Sequence, residues 1–358
     1  MPHRELPTSV TPSAPLSTRT SRRRLLAGGA AALALPGLAG CAAPRHGRPV
    51  AEPPRVGALF AGDVRDRGFM EAGWRGLERA RLELGARTRF IDGVVPQREL
   101  LVQALEALAA DRPALVIAHG GQNNEACAEV ARRHPGVRFA VTQGAVHGDN
   151  LASYDVLQEE SAYLAGVLAA LTTRTGVVGH MSGIRVVPGL KGRAAYAAGV
   201  RDTDARVRLL TNFSGSQDDN ALSHRIATAQ FAQGADVVFT MLNAGRDGVT
   251  RACRERGRRQ IGNVADWTVR DPAVFVGSAI ADVSIGVFDA VRDLQAGRFP
   301  AGAVRKVGLA QREAVRLAVA PDVPEAVRAR IERAAADIAE GRIAVPTRYD
   351  GPEFPTPA

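Results

Sequence analysis

The chain has 358 residues, with 46 lysines and arginines against 37 aspartates and glutamates, a formal net charge of +9. Five of those arginines and one glutamate fall in residues 1–40, so the rest carries only about five positive charges, and no basic cluster interleaved with aromatics marks a nucleic-acid surface. With 46% apolar residues, 23% charged residues and three cysteines, the composition is that of a globular protein, neither disordered nor a disulfide scaffold.

The first element is a leader. Ser21-Arg22-Arg23-Arg24-Leu25-Leu26 precedes an apolar run, and Leu38-Ala39-Gly40-Cys41 closes it. A charged region, an apolar region and small residues before a cut form an export signal. The run from Leu25 to Leu38 is shorter than the roughly 20 apolar residues a bilayer span needs, and Pro36 and Gly37 interrupt it. Its start resembles a twin-arginine signal and its end a lipobox, although general secretion also suits an arginine-rich start. The expectation is a signal over residues 1–40 and a mature chain that starts at Cys41. A diacylglyceryl anchor there would hold the chain stably, facing the periplasm or the cell exterior. Residues 41–54 read as a flexible tether.

Beyond the tether, short apolar runs alternate with amphipathic stretches. Strands are expected at Arg55–Ala61, Thr88–Ile91, Ala114–His119 and Val137–Thr142, with helices over Gly68–Leu84, Arg98–Ala110 and on to Arg133. A second series starts near Leu151. Glu159–Thr173 reads as a helix whose acidic start suits its positive end. Strands follow at Val177–Met181, Arg206–Asn212, Asp236–Met241, Gln260–Val264 and Val274–Ala279, with helices between most of them. Pro324 opens a last helix that Gly341 ends. Repeated β-α units with buried parallel strands predict a doubly wound α/β fold. The expected division is an N-terminal lobe over 55–150 with a return segment near 265–300, a C-terminal lobe over 151–264 with the helix 324–340, and an extended tail over 350–358.

In such sheets ligands bind beyond the carboxyl ends of the strands. Candidates there are Gln122 and Asn123 after the third strand, Tyr154 and Asp155 near Leu151, and Asn243 after Met241. Amide side chains can read donors and acceptors, although any one of these residues also reads as a loop group facing water. His119 ends the third strand, as a ligand contact or a structural histidine. No Walker lysine motif, no Gly-x-Gly-x-x-Gly after the first strand, no Gly-x-Ser-x-Gly and no His-Glu-x-x-His occurs. No cofactor and no metal is expected. Cys127 and Cys253 sit in separate expected helices and read as isolated thiols.

Five segments together resemble one family. They are Asp66-Arg67-Gly68-Phe69-Met70 through Gly76-Leu77, Glu160-Ser161-Ala162-Tyr163-Leu164-Ala165-Gly166 with Thr173 through Gly179, Gly234 through Phe239 with Ala244-Gly245, Ile261-Gly262 through Asp266, and Glu340 through Pro346. In order and spacing the chain resembles the basic membrane protein family of ABC-transporter substrate-binding lipoproteins, whose best-understood members bind purine nucleosides. The resemblance implies a type I periplasmic-binding fold, two lobes closing a cleft on a small ligand, and an ABC permease as partner to a monomer. By position Phe69 becomes the stacking aromatic and Asp266 the ribose carboxylate. The bare sequence also allows a core aromatic and a helix cap. Asp66 belongs to the first matching segment.

The chain departs from the family at Met70, where an asparagine is expected, at Gln217, where an aromatic is expected, and at Ala281, where a lysine is expected. Trp267 is new beside Asp266 and reads either as a stacking face or as a core residue. The implied ligand is a nucleoside, a free base or another small polar ring. The leading expectation is a lipid-anchored receptor without a catalytic step. A sensor of the same fold and an exported nucleoside hydrolase using Asp63, Asp66 or Asp266 are the alternatives.

Overall fold

The computed structural model describes residues 52–357. The expected signal, Cys41 and most of the tether lie outside the described residues. Two six-stranded sheets organise the described chain. The first contains β1 (Arg55–Phe60), β2 (Arg87–Ile91), β3 (Leu115–His119), β4 (Arg138–Thr142), β5 (Leu151–Val156) and β11 (Val304–Val307). Its order is β11-β5-β4-β3-β1-β2, and every neighbouring pair is parallel. The second contains β6 (Val177–Ser182), β7 (Arg208–Phe213), β8 (Val237–Met241), β9 (Arg259–Asn263), β10 (Phe275–Ala281) and β12 (Val315–Val319). Its order is β12-β10-β9-β8-β6-β7, parallel except for β12 against β10. The fold is therefore α/β with two doubly wound lobes.

Helices cover both faces of each sheet, because strands buried on both sides need two apolar layers. In the first lobe α2 (Arg98–Ala109) and α3 (Asn124–Arg133) pack on one face, α1 (Phe69–Leu84) and α8 (Ser284–Gln295) on the other. In the second lobe α4 (Gln158–Thr172), α5 (Val187–Thr203) and α9 (Glu325–Ala339) share one face, α6 (Asn220–Ala232) and α7 (Arg246–Arg256) the other. α4 is buried on nearly every side and meets α5 through glycine. A Cβ at Gly166 would collide with the Tyr196 carbonyl oxygen, and one at Gly199 with that of Tyr163.

The chain crosses between lobes three times, from β5 to α4, from β10 to α8 and from β11 to β12. Two of these crossings differ from the expected division. Leu151–Val156, assigned from sequence to the second lobe, pairs with β4 in the first. The link from β4 to β5 has no helix, so the strand reads as a fresh start although it continues the first sheet. The return segment also begins later than residue 265, since β10 stays in the second sheet and α8 is the first element back. β11 and β12 went unread: β11 has four residues, two of them basic, and β12 is a sheet edge. The tail is extended and docked. Phe354 N–H donates to Thr211 O (2.7 Å), Asn212 Nδ2 donates to Phe354 O (2.8 Å), and Glu353 pairs with Arg185 and Arg193. Cys127 and Cys253 are free and buried in α3 and α7, and burial pushes both thiols up.

Candidate functional site

A cavity of about 870 Å³ lies between the lobes. It is lined by residues beyond β1 and β3 of the first sheet and beyond β6, β7, β8 and β9 of the second. The strand order reverses between β1 and β3, and again between β6 and β8. Both lobes thus present a topological switch point, where open α/β sheets leave room for a ligand.

The first-lobe wall is built on the loop from β1 to α1. Asp66 Oδ1 accepts the Gly68 and Glu71 N–H groups (2.8 and 3.1 Å), and Oδ2 accepts the Met70 N–H (3.0 Å) and Asn243 Nδ2 (2.9 Å). Those four donors fill the carboxylate's acceptor sites. Burial raises the Asp66 pKa and the backbone donors pull it back down. Asp66 therefore fixes the start of α1 and joins it to the second lobe.

Phe69, the first residue of α1, lines the cavity. Its ring stacks on His119 with centroids 4.2 Å apart and planes inclined by 24°. His119 Nε2 lies 2.9 Å from Phe69 O, a pure acceptor, so Nε2 carries the proton. Nδ1 then accepts from the Thr142 hydroxyl at 2.7 Å. Full burial lowers the His119 pKa to about 4, which keeps the ring neutral. Gly73 makes room for this ring, since a Cβ there would sit 2.5 Å from His119 Nε2. The aromatic platform is thus locked by His119, in the structural one of the two roles its place at a strand end allowed.

Of the other residues expected from sequence, Gln122, Asn243 and Gln217 line the cavity together with Met70. Asn243 bridges the lobes: Nδ2 donates to Asp66, and Oδ1 accepts the Phe69 N–H at 3.4 Å. The Gln217 carbonyl holds the Asn243 and Gly245 N–H groups (3.1 and 3.0 Å). Asn123, Tyr154, Asp155, Asp266 and Trp267 are not among the lining residues. Asn123 is buried and its Nδ2 ties the His119 and Gly120 carbonyls (both 2.9 Å). The Tyr154 hydroxyl donates to Asp293 Oδ2 at 3.1 Å under α8. Asp155 faces Lys191 at 3.2 Å, an ion pair between β5 and α5 that Glu159 shares. Burial raises the Asp155 pKa against the pull of Lys191.

Asp266 Oδ1 accepts from Thr268 N–H (3.0 Å) and Thr268 Oγ1 (2.6 Å), which closes a turn over 268–270 rather than capping a helix. Trp267 is buried: its Nε1 donates to Asn263 O (3.0 Å), and its ring lies against Phe275 and the guanidinium groups of Arg246 and Arg270. Ala281 is buried at the end of β10.

Three lining features escaped the sequence. Gln158 opens α4 just past β5, whereas the expected candidates Tyr154 and Asp155 lie within that strand. Ser182 Oγ lies 3.1 Å from His180 Nε2, whose Nδ1 is 2.9 Å from Thr211 Oγ1. Burial lowers the His180 pKa to about 3. Asn263 precedes Val264, a β-branched residue held at φ 66°, the kind of strained backbone that concentrates at binding sites. The lining holds three carboxylates, Asp63, Asp66 and Asp218, against one guanidinium, Arg65, which pairs with Asp63 at 3.2 Å. Such a wall disfavours phosphate-bearing ligands. Among the described residues no group of three or more His, Cys, Asp or Glu could hold a metal ion, and no helix is long and apolar enough to cross a membrane.

Residues 54–348 match a family model, Bmp, described as ABC transporter substrate-binding protein PnrA-like. The CD4+ T-cell-stimulating antigen of Listeria monocytogenes is 25% identical over 309 residues, 80% of this chain and 86% of that protein. The ABC transporter nucleoside-binding protein BmpA of Lactococcus lactis is 24% identical over 311 residues, 80% of this chain and 87% of the relative. Among solved structures, an ABC transporter solute-binding protein from Aeropyrum pernix superposes with a TM-score of 0.73 at 24% identity, covering 83% of this chain and 94% of the other.

Proposed function

The chain belongs to the Bmp family of PnrA-like ABC transporter substrate-binding proteins, and from that premise we propose that it is an extracytoplasmic receptor, lipid-anchored at Cys41, that captures a nucleoside or a related neutral planar ligand for an ABC permease. The observation that carries this reading is the Phe69–His119 stack on the wall of the interlobe cavity. An aromatic face backed by a second fixed ring is a stacking surface for a flat heterocycle, and a nucleoside fits a cavity of this size. The excess of carboxylates in the lining favours an unphosphorylated ligand. The similarity to a relative named for nucleoside binding points the same way.

Capture follows from the architecture. The ligand stacks on Phe69, the lobes close about the three crossings, and amides and hydroxyls of both lobes take up its polar groups. The carboxylates that a hydrolase would need are already engaged: Asp66 by four donors, Asp63 by Arg65 and Asp266 by Thr268. That supports binding over hydrolysis. Mass spectrometry of ligand released from the purified protein tests the proposal. Recovery of a nucleoside or free base is expected, and a stoichiometric sugar or amino acid would overturn it.

A further inference from the structure

Five amide side chains among the described residues keep a sealed atom without a hydrogen-bond partner: Asn123, Gln158, Asn212, Gln230 and Asn263. Three of them are held by their other end: Asn123 Nδ2 and Gln230 Nε2 each reach two carbonyls, and Asn212 Nδ2 reaches Phe354 O and Thr356 Oγ1. The remaining two, Gln158 and Asn263, line the cavity. Gln158 is only 6% exposed, yet its Nε2 is sealed from solvent without a partner. Asn263, at the end of β9, has its Oδ1 sealed in the same way. A buried polar group with an unmade hydrogen bond is costly, and native structures rarely keep one without a reason.

Both residues belong to the second lobe, whereas Phe69 opens α1 of the first. Each amide carries a donor and an acceptor that exchange places on rotation. The pair therefore suits a ligand edge that offers a donor beside an acceptor. A lactam edge of a heterocycle has that chemistry, and so does a sugar diol. We propose that Gln158 and Asn263 are specificity-determining residues of the cleft, and that they hydrogen-bond the donor–acceptor edge of a neutral ligand stacked on Phe69. This rests on the nucleoside-receptor reading and names the residues that select within it.

The test uses Gln158→Met and Asn263→Leu, which keep volume and remove the amides, with inosine, hypoxanthine and ribose as probes. Calorimetry on the full described chain is paired with thermal unfolding without any probe. Each variant should lose at least tenfold in affinity for inosine. Each should also unfold, unliganded, at the wild-type temperature or above, because an unmet polar group has been removed. A parallel loss for hypoxanthine assigns the pair to the base, and a loss confined to inosine assigns it to the sugar. Unchanged inosine affinity in both variants would overturn the proposal and leave the nucleoside reading standing. A drop of several degrees in unliganded unfolding temperature would show the amides to be structural and overturn it as well. If the wild type binds none of the probes, the nucleoside reading fails, and the unliganded unfolding comparison alone decides whether the amides stand apart from the fold.

Discussion

At the scale of single residues, the site is a set of side chains whose protonation and orientation are fixed before any ligand arrives. Phe69 meets one residue twice: its carbonyl accepts from His119 Nε2, and its ring lies on the same imidazole. Phe69→Ala removes the stacking surface and leaves the backbone contact. Its affinity for inosine should fall by at least about tenfold, or about 1.4 kcal/mol, as read by calorimetry; an unchanged constant would mean the ring serves the core alone. The two buried histidines set a pH dependence. Burial holds His119 at about 4 and His180 at about 3, against an ordinary 6.5. As pH falls through 6.5 the unfolded chain takes up protons that the folded chain refuses, so stability is lost on acidification until the folded pKa values are reached. Asp66 and Asp155, raised by burial, act in the opposite direction at lower pH. The histidine contribution is therefore clearest between about pH 7 and 5. His119→Gln, which keeps a donor and an acceptor, should flatten the unfolding temperature in that window relative to wild type. Parallel curves for the two proteins would sink this assignment.

At the scale of elements, the α4–α5 contact holds the second lobe, and it depends on two missing side chains. Gly199→Ala drives a methyl into the Tyr163 carbonyl and should cost about 2 kcal/mol by overpacking, measured as a fall in the denaturant midpoint. Gly136→Ala, with open space around it, is the control and should change little. What was legible in the sequence follows from the same packing logic. Parallel strands buried on both faces show as apolar runs, so Leu115–His119 and Val237–Met241 were readable nearly to the residue. Edge strands carry no such run, which hid β11 and β12. Lobe membership is a long-range property: nothing local in Leu151–Val156 says that it pairs with β4 rather than β6. The site was half legible for the same reason. Strand-end logic reached Gln122 and Asn243, while Asp266, placed by the family motif, and Trp267 beside it meet Thr268 and Arg246 instead of lining the cavity.

At the scale of the whole described molecule, two polar contacts between the lobes differ in their energetics. Beside the crossings, Lys191 bridges Asp155 of the first lobe and Glu159 of the second, half-sheltered from water. At the cavity, Asp66–Asn243 and Arg67–Asp247 join the loop before α1 to the start of α7. Arg67 and Asp247 are both well exposed, with side chains 58% and 45% accessible, and such a pair contributes little net energy. The Asp66–Asn243 contact is half-buried, and it exists only while the lobes are close. Contacts made only in the closed state act on escape of the ligand rather than on its entry. Asn243→Ala should therefore raise the dissociation rate of a bound nucleoside about tenfold with little change in association, and small-angle scattering should show a larger radius for the liganded variant than for liganded wild type. Arg67→Ala should alter the dissociation rate by less than about threefold. If both substitutions slow association and leave dissociation untouched, the loop before α1 steers the ligand in rather than holding the lobes shut.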